Sequence, residues 1–298
     1  MTWNGEDAAM LLNGGVKNAR LKELISEHTG LEEYVTACSR DADFIAPKPF
    51  ELNGLWAVSY DSEQYPRSLK TLRSAPAVLF GQGDLRTLDR CVAVVGTRRS
   101  TRIGERSAQI LAESARETGF SVVSGLATGV DRLGHEAALS AGVPTVGVLA
   151  CGADRVYPSE HADLASRILE AGGALVSEQL PGTPVSPQRL QMRNRIITAL
   201  AWVVMIGEGA SDSRGTLGAL RTALDAGRPV IVPEVRGAWR ATPGAWMLNE
   251  LAKEEPDFGR LGLKYDSVRT PIANAVCDSQ QMVTDALRVF SVFSNAAL

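Results

Sequence analysis

The sequence predicts an α/β fold in which a mostly parallel sheet carries helices on both faces. Its central part alternates short apolar segments with amphipathic ones, and the apolar segments read as strands at 92–96, 121–124, 145–150, 174–177, 203–207 and 230–233. Each connection is long enough for a helix, so the strands must be joined by right-handed crossovers and run parallel. Ligands of such sheets bind at the carboxyl ends of the strands, where the strand order reverses.

Helices are predicted between these strands, at 103–118, 131–141, 161–171, 193–201 and 215–226. In the first of them, Ile103, Ile110 and Leu111 share one face, as in a helix that covers a sheet. Ahead of this core, Val78-Leu79-Phe80 predicts a short edge strand. The predicted organisation is a small helical region, a core, and an extension that ends in an amphipathic helix and has no recognisable winged helix, at 1–54, 55–235 and 236–298 respectively.

The composition is that of an ordinary globular protein: the 298 residues are 45% hydrophobic and 22% charged, and the formal net charge is −3. This charge gives no overall attraction to polyanions, so a phosphate or nucleic-acid site has to be a local basic patch. No segment resembles a signal peptide or a membrane span, which predicts a cytoplasmic protein with no membrane partner. The cysteines and histidines are widely spaced, so we expect neither a disulfide nor a metal site.

The strongest functional signal is the loop that follows the first predicted core strand, Gly96-Thr97-Arg98-Arg99-Ser100. A buried strand stops at a glycine and leads into a helix, whose N-terminal N–H groups and dipole favour an anion, and Arg102 and Arg106 add positive charge nearby. The spacing matches neither the Gly-x-Gly-x-x-Gly fingerprint of dinucleotide-binding proteins nor the phosphate loop of ATPases. We therefore predict a phosphate site of another kind.

Two more loops follow strands at the same edge of the sheet. The segment Ser124–Asp131 is rich in small residues that leave backbone N–H groups accessible, and Asp131 either caps the next helix or contacts a ligand. Residues 214–216 form either a second anion-binding nest or a flexible surface turn. His135, one turn into its helix, is expected to pack rather than to catalyse.

Arg193-Asn194-Arg195 begins another predicted helix at this edge. Its two arginines are two residues apart and cannot share a helix face. We expect one to reach the ligand, because the guanidinium fork suits phosphate, and the other to pair with an internal carboxylate such as Glu178 or Glu208. A catalytic role of these two carboxylates stays open, although an ion pair with arginine is the commoner fate of such residues.

Taken in order, these loops resemble the DNA-processing protein A family (DprA, also called Smf). The resemblance covers about 65–233 and depends on short motifs in one order: Gly96-x-Arg98-x-Ser100, Ser124-Gly125-x-Ala127-x-Gly129-x-Asp131 with His135, Gly152-x-Asp154-x-x-Tyr157-Pro158, Ser177-Glu178, Arg193-Asn194-Arg195-Ile196-Ile197 and Gly227-Arg228. Each motif is weak alone, but the set is specific. Two positions depart from the usual pattern, because Arg214 stands where the family usually has serine, and Glu234 where it has glycine.

The resemblance implies an extended Rossmann-like domain that binds single-stranded DNA and loads a RecA-type recombinase during DNA processing and recombination, in natural transformation or in a mobile element. It further implies a homodimer, with no catalytic residue, cofactor or metal. The residues expected to contact DNA are Gly96, Arg98, Arg99, Ser100, Arg102, Ser124, Gly125, Ala127, Gly129, Asp131, Gly152, Arg193, Asn194, Arg195, Arg214, Gly215 and Thr216.

Two other functions fit the sequence less closely. One is a nucleotide-processing hydrolase of the lysine-decarboxylase-like (LOG) group, a phosphoribohydrolase, whose Gly-Gly-x-Gly-Thr signature is partly matched by Gly215-Thr216. In that hypothesis Glu208 is the catalytic carboxylate. The other is a sensor domain that binds a small nucleotide.

Overall fold

In a computed structural model that describes residues 3–49, 51–261, 263 and 273–295, the described strands form one sheet. The strands are β1 Trp56–Ser59, β2 Val78–Gly83, β3 Cys91–Gly96, β4 Ser121–Ser124, β5 Thr145–Val148, β6 Ala174–Ser177, β7 Ala201–Glu208, β8 Val230–Pro233 and β9 Ala275–Cys277. Their order is β1-β2-β6-β5-β4-β3-β7-β8-β9, with β1 and β2 antiparallel to their neighbours and the others parallel. The predicted α/β fold is confirmed.

The helices are α1 Gly5–Gly14, α2 Asn18–Glu27, α3 Leu31–Cys38, α4 Arg67–Lys70, α5 Arg102–Thr118, α6 Val130–Ser140, α7 Ala162–Glu170, α8 Pro187–Met192, α9 Asn194–Leu200, α10 Arg214–Asp225, α11 Trp246–Leu251 and α12 Gln280–Asn295. Within the described ranges, none of them is both long and apolar enough to cross a bilayer.

The two central strands, β3 and β7, are apolar along nearly their whole length because both of their faces are covered. Side chains alternate between the faces, so Val92 and Val94 pack against α5, α6 and α12, whereas Ala93 and Val95 pack against α9, α10 and α11. Helices α5, α6 and α12 thus cover one face of these strands, and α9, α10 and α11 cover the other.

The order of the strands reverses at β3. The chain leaves β3 toward one edge through β4, β5 and β6, and then crosses back to add β7 on the other side of β3. The carboxyl ends of β3 and β7 therefore flank the point where crossovers diverge, which leaves a crevice between the loops that follow them.

The antiparallel end of the sheet corrects one prediction. Residues 78–80 are not an edge strand, because β2 pairs with β6 on one side and with β1 on the other. The edge is β1, which the sequence analysis did not identify. At the opposite edge, β9 adds a further unpredicted strand, and α12 packs on α5, so the extension at 236–298 contributes to the core in its described part. The boundaries predicted at 54 and 235 stay predictions.

Candidate functional site

A cavity of about 570 Å³ opens between the loops at the carboxyl ends of β3 and β7. Its walls come from the loop after β3, the start of α6, the loop before α7, helices α8 and α9, and the start of α10. The lining residues are Val95, Gly96, Thr97, Arg98, Arg99, Ala127, Asp131, Tyr157, Pro187, Leu190, Gln191, Arg193, Asn194, Ile197, Asp212, Ser213, Arg214, Gly215, Thr216 and Ala219.

The N-terminus of α5, where the sequence predicted a phosphate, is already occupied by a carboxylate of the protein. The Glu208 Oε2 atom accepts hydrogen bonds from the N–H groups of Thr101, at 2.8 Å, and Gly104, at 3.0 Å, while Oε1 accepts one from the Thr101 hydroxyl at 2.9 Å. Glu208 is fully buried. The positive end of α5 is thus neutralised from within, and the N–H groups of Thr101 and Gly104 are bound to an internal carboxylate rather than to an external phosphate.

Two glycines of the predicted site serve packing between loops. A Cβ atom at Gly96 would lie 2.6 Å from the carbonyl oxygen of Glu208, so this residue lets β3 and β7 approach closely. Gly129 has φ +79°, and a Cβ atom there would lie 2.2 Å from the carbonyl oxygen of Thr97. Only glycine fits this position, and the loops after β3 and β4 are held together as a result.

The buried guanidinium of Arg193 forms part of the cavity wall. One of its terminal nitrogens donates to the carbonyl oxygens of Gly125 and, at 2.6 Å, Val148. The other lies 3.7 Å from the Asp131 carboxylate, which in turn accepts a hydrogen bond from the Gly125 N–H at 3.2 Å. Burial raises the pKa of Asp131, while Arg193 opposes the rise. The Arg193 Nε atom has no partner among the described residues.

Arg195 is directed elsewhere, as the two-residue spacing required. It donates to both carboxylate oxygens of the buried Glu178, at 3.0 and 2.6 Å, and to the Ser74 hydroxyl at 3.1 Å. Arg195 does not line the cavity. Arg195 is therefore the arginine that pairs with an internal carboxylate, and Arg193 is the one that lines the cavity.

The N-terminus of α10, in contrast to that of α5, is open. Ser213 at the cap position uses its hydroxyl to accept from the Ala210 N–H at 3.1 Å, and it makes no cap to the helix. Among the described residues, the N–H groups of Gly215 and Thr216 have no acceptor, and the buried Thr216 hydroxyl has no partner. An anion in the cavity would satisfy these donors and the helix dipole together.

Charge at the cavity favours an anion as well. Arg98, Arg99, Arg193 and Arg214 line it, against Asp131 and Asp212, so positive charges outnumber negative ones by two although the whole chain is acidic. Arg99 and Asp212 form an exposed ion pair at 3.0 Å across the mouth, which contributes little to stability and opens at little cost.

The structure brings together ten of the residues predicted to contact DNA: Gly96, Arg98, Arg99, Ala127, Asp131, Arg193, Asn194, Arg214, Gly215 and Thr216. Seven others do not line the cavity: Ser100, Arg102, Ser124, Gly125, Gly129, Gly152 and Arg195. Several of these support it instead. Ser124 donates to the carbonyl oxygen of Val94 at 2.6 Å, and Gly125 leaves space for the Arg193 guanidinium, which would clash with any Cβ atom there.

Sequence reasoning missed one wall of the cavity, which is formed by α8. The segment before Arg193 is rich in proline and glycine, yet α8 begins at Pro187, and the Ser186 hydroxyl caps it by accepting from the Arg189 N–H at 3.2 Å. Serine followed by proline is a helix-start signal that could have revealed it.

His135 packs inside the protein, as expected. The Thr145 hydroxyl donates to the carbonyl oxygen of Val122, so it accepts from the Nδ1–H of His135 at 2.7 Å. The remaining ring nitrogen, Nε2, is buried without a partner. Burial, together with the positive charge of Arg193, lowers the pKa of His135 to about 3. The ring is therefore neutral and holds α6 against β5.

Neither carboxylate considered for catalysis lies in the cavity. Glu208 caps α5 and Glu178 pairs with Arg195, and both are buried. Glu208, the catalytic residue in the hydrolase hypothesis, has no access to a ligand in the cavity. This observation argues against that hypothesis.

The sequence is similar to those of several known proteins. The family model described as DNA recombination-mediator protein A matches residues 56–253. Protein Smf of Escherichia coli (strain K12) is 34% identical over 234 residues, which cover 76% of this chain and 62% of that protein. DNA processing protein DprA of Bacillus subtilis (strain 168) is 37% identical over 179 residues, which cover 59% of this chain and 60% of that protein. The chain thus spans about three fifths of the length of these curated relatives.

Solved structures show the same fold. The structure of DNA processing protein A from Helicobacter pylori, reported for its single-stranded DNA binding mode, is 25% identical, with a TM-score of 0.61 over 78% of this chain and 96% of that one. DprA from Streptococcus pneumoniae is 24% identical, with a TM-score of 0.64 over 95% of this chain and 93% of that one. The sheet and its helices are therefore those of the Rossmann-like DprA fold.

The cap of α5 by Glu208 predicts a graded loss of stability. Glu208→Ala leaves the Thr101 and Gly104 N–H groups buried without an acceptor, and we expect the free energy of unfolding in urea to fall by about 3 kcal/mol. Glu208→Gln keeps an acceptor but loses the charge, and should lose about 1 kcal/mol. Glu234→Gln, at the exposed end of the next strand, is the control and should stay within about 0.5 kcal/mol of wild type. A Glu208→Ala protein of wild-type stability would contradict this role.

The neutral, buried His135 predicts a loss of stability in acid. Its pKa is about 3 when folded and 6.5 when exposed, so the unfolded chain binds the extra proton as the pH falls below about 6.5. Between pH 7 and pH 5, we expect wild type to lose about 2 kcal/mol more of its unfolding free energy than His135→Asn, which can still donate to Thr145. Equal losses in urea titrations of the two proteins at both pH values would contradict the assignment.

Proposed function

The chain belongs to the DNA recombination-mediator protein A family, and from this premise we propose that it binds single-stranded DNA in the cavity at the ends of β3 and β7, without catalytic turnover. The observation that carries the proposal is the open N-terminus of α10 beside four arginines. Together they form a site for a phosphate group in a protein whose overall charge is negative.

A single strand suits this cavity better than a duplex does. The anion donors of Thr216 and Arg193 are buried, so a phosphate or a base has to enter the cavity to meet them. In a duplex the bases are paired and stacked, and turning a nucleotide out of the helix costs a few kcal/mol. A single strand avoids that cost, which supports a preference for single-stranded DNA.

The exposed arginines at the mouth would serve a different role from that of the buried Arg193. Arg98 and Arg214 are exposed and can neutralise the phosphates on either side of the one held in the cavity. Contacts of this kind are independent of sequence and weaken steeply with salt. The proposed binding is therefore strong at low salt, tolerant of sequence, and directed at the backbone.

We further propose that the DNA-bound protein acts with a RecA-type recombinase and with a second copy of itself. The support is the membership of a family of recombination mediators. Light scattering of the purified chain tests the homodimer, and recombinase loading on a single strand covered by single-strand-binding protein tests the mediator role. A chain that is monomeric at all concentrations would exclude the homodimer. A failure to stimulate loading would exclude the recombinase as a partner.

Arg98→Ala tests the binding site. Fluorescence anisotropy with a labelled thymidine oligonucleotide should show a loss of affinity of about tenfold, and the slope of log K against log salt should flatten by about 0.7, as expected for one lost contact to a single-strand phosphate. Arg116→Ala, on the last turn of α5 at the opposite end of the helix, is the matched control. Wild-type affinity and slope in a folded Arg98→Ala protein would remove Arg98 from the site.

Thr216→Val separates binding from stability. The buried Thr216 hydroxyl has no partner in the described part of the chain, so its removal should raise the unfolding free energy by about 1 kcal/mol and weaken single-strand binding about three- to tenfold. Thr222→Val, in which the lost hydroxyl donates to the Ala219 carbonyl oxygen, is the control on the same helix and should leave binding unchanged. Should Thr216→Val bind as wild type does, the hydroxyl would not be a DNA ligand.

A further inference from the structure

Tyr157 places an aromatic ring at the rim of the cavity. Large apolar side chains are mostly buried in this protein, yet Tyr157 is 42% exposed and lines the cavity. Among the described residues, its hydroxyl has no hydrogen-bond partner, so no polar contact explains why the ring is held at the surface. An exposed ring at the edge of an anion-binding cavity is suited to a flat, apolar partner.

The loop that carries Tyr157 is fixed on both sides. Before it, the Gly152 N–H donates to the carbonyl oxygen of Thr183 at 2.9 Å, and the Ser177 hydroxyl donates to that of Cys151 at 2.6 Å. After it, the buried ring of His161 hydrogen-bonds through Nδ1 to the carbonyl oxygen of Leu126 at 2.8 Å. The tyrosine is therefore held in place before any ligand arrives, which lowers the entropy lost on binding.

The cavity wall is chemically divided. The arginines and the open end of α10 supply donors for a phosphate, whereas Pro187, Leu190 and Ile197 supply apolar surface. A nucleotide has the same division, with a charged phosphate joined to a base that has two apolar faces. The two kinds of wall therefore match the two ends of one nucleotide.

We propose that the Tyr157 ring is the stacking platform for the base of a nucleotide whose phosphate binds at the N-terminus of α10. This assignment rests on the proposed function and adds a base-binding residue to it. Stacking on an aromatic ring tolerates every base, because every base has a π face. The cavity then discriminates unpaired nucleotides from paired ones, and it does not read sequence.

The test compares Tyr157→Ala and Tyr157→Phe in anisotropy titrations with thymidine oligonucleotides that carry one abasic site at successive positions. Tyr157→Ala should bind the intact oligonucleotide about five- to a hundredfold more weakly than wild type, with an unchanged salt slope, and Tyr157→Phe should bind within about twofold, because the ring suffices. At one abasic position, wild type should lose a similar factor while Tyr157→Ala loses nothing more, because the missing base and the missing ring remove the same contact.

Three results would overturn the assignment. Wild-type affinity in a folded Tyr157→Ala protein would exclude stacking while leaving the phosphate site in place, provided that Arg98→Ala still weakens binding. Equal abasic losses in wild type and Tyr157→Ala at every position would show that the ring acts on the fold of the loop and not on a base. Absence of single-strand binding by the wild-type protein would overturn the proposed function and this inference together.

Discussion

The arrangement of the site depends on one internal anion, the Glu208 carboxylate at the N-terminus of α5. It joins the end of β7 to the first turn of a helix 104 residues earlier in the chain. The turn at 243–245 covers it so closely that a Cβ atom at Gly244 would lie 2.0 Å from Oε1. With α5 neutralised in this way, the N-terminus of α10 is a helix end at the cavity that stays open to an anion.

The buried guanidinium of Arg193 is a second constraint on the cavity. A buried guanidinium is costly unless its N–H donors have acceptors. Two backbone carbonyl oxygens and the Asp131 carboxylate satisfy only some of the donors of Arg193. The unpartnered Nε of Arg193 and the hydroxyl of Thr216 are polar groups that weaken the folded state while the cavity holds no anion. Such residual cost is typical of binding sites, where stability is given up for affinity.

The sequence predicted the central strands, the main helices and the edge of the sheet that carries the site, because continuous apolar runs and helical periodicity are local signals. It missed β1 and β9, the strands at the two edges of the sheet, which are only partly buried. It also predicted a phosphate at the N-terminus of α5, where the structure places the Glu208 carboxylate. The partner of the α5 N-terminus is a glutamate far along the chain, and residue spacing does not reveal which internal carboxylate reaches which helix end. The two-residue spacing predicted that Arg193 and Arg195 point in different directions, and the structure places Arg195 on Glu178 and Arg193 in the cavity wall.

Hydrogen–deuterium exchange of the whole chain, with and without a saturating thymidine oligonucleotide, tests the central claim most directly. Opposite results are expected in one experiment at the open N-terminus of α10 and at the capped N-terminus of α5. The N–H groups of Gly215 and Thr216 should be strongly protected by the oligonucleotide, whereas those of Thr101 and Gly104, already bound to Glu208, should exchange at the same rate with and without it. Protection at the start of α5 with none at the start of α10, or protection confined to regions outside the cavity, would contradict the account.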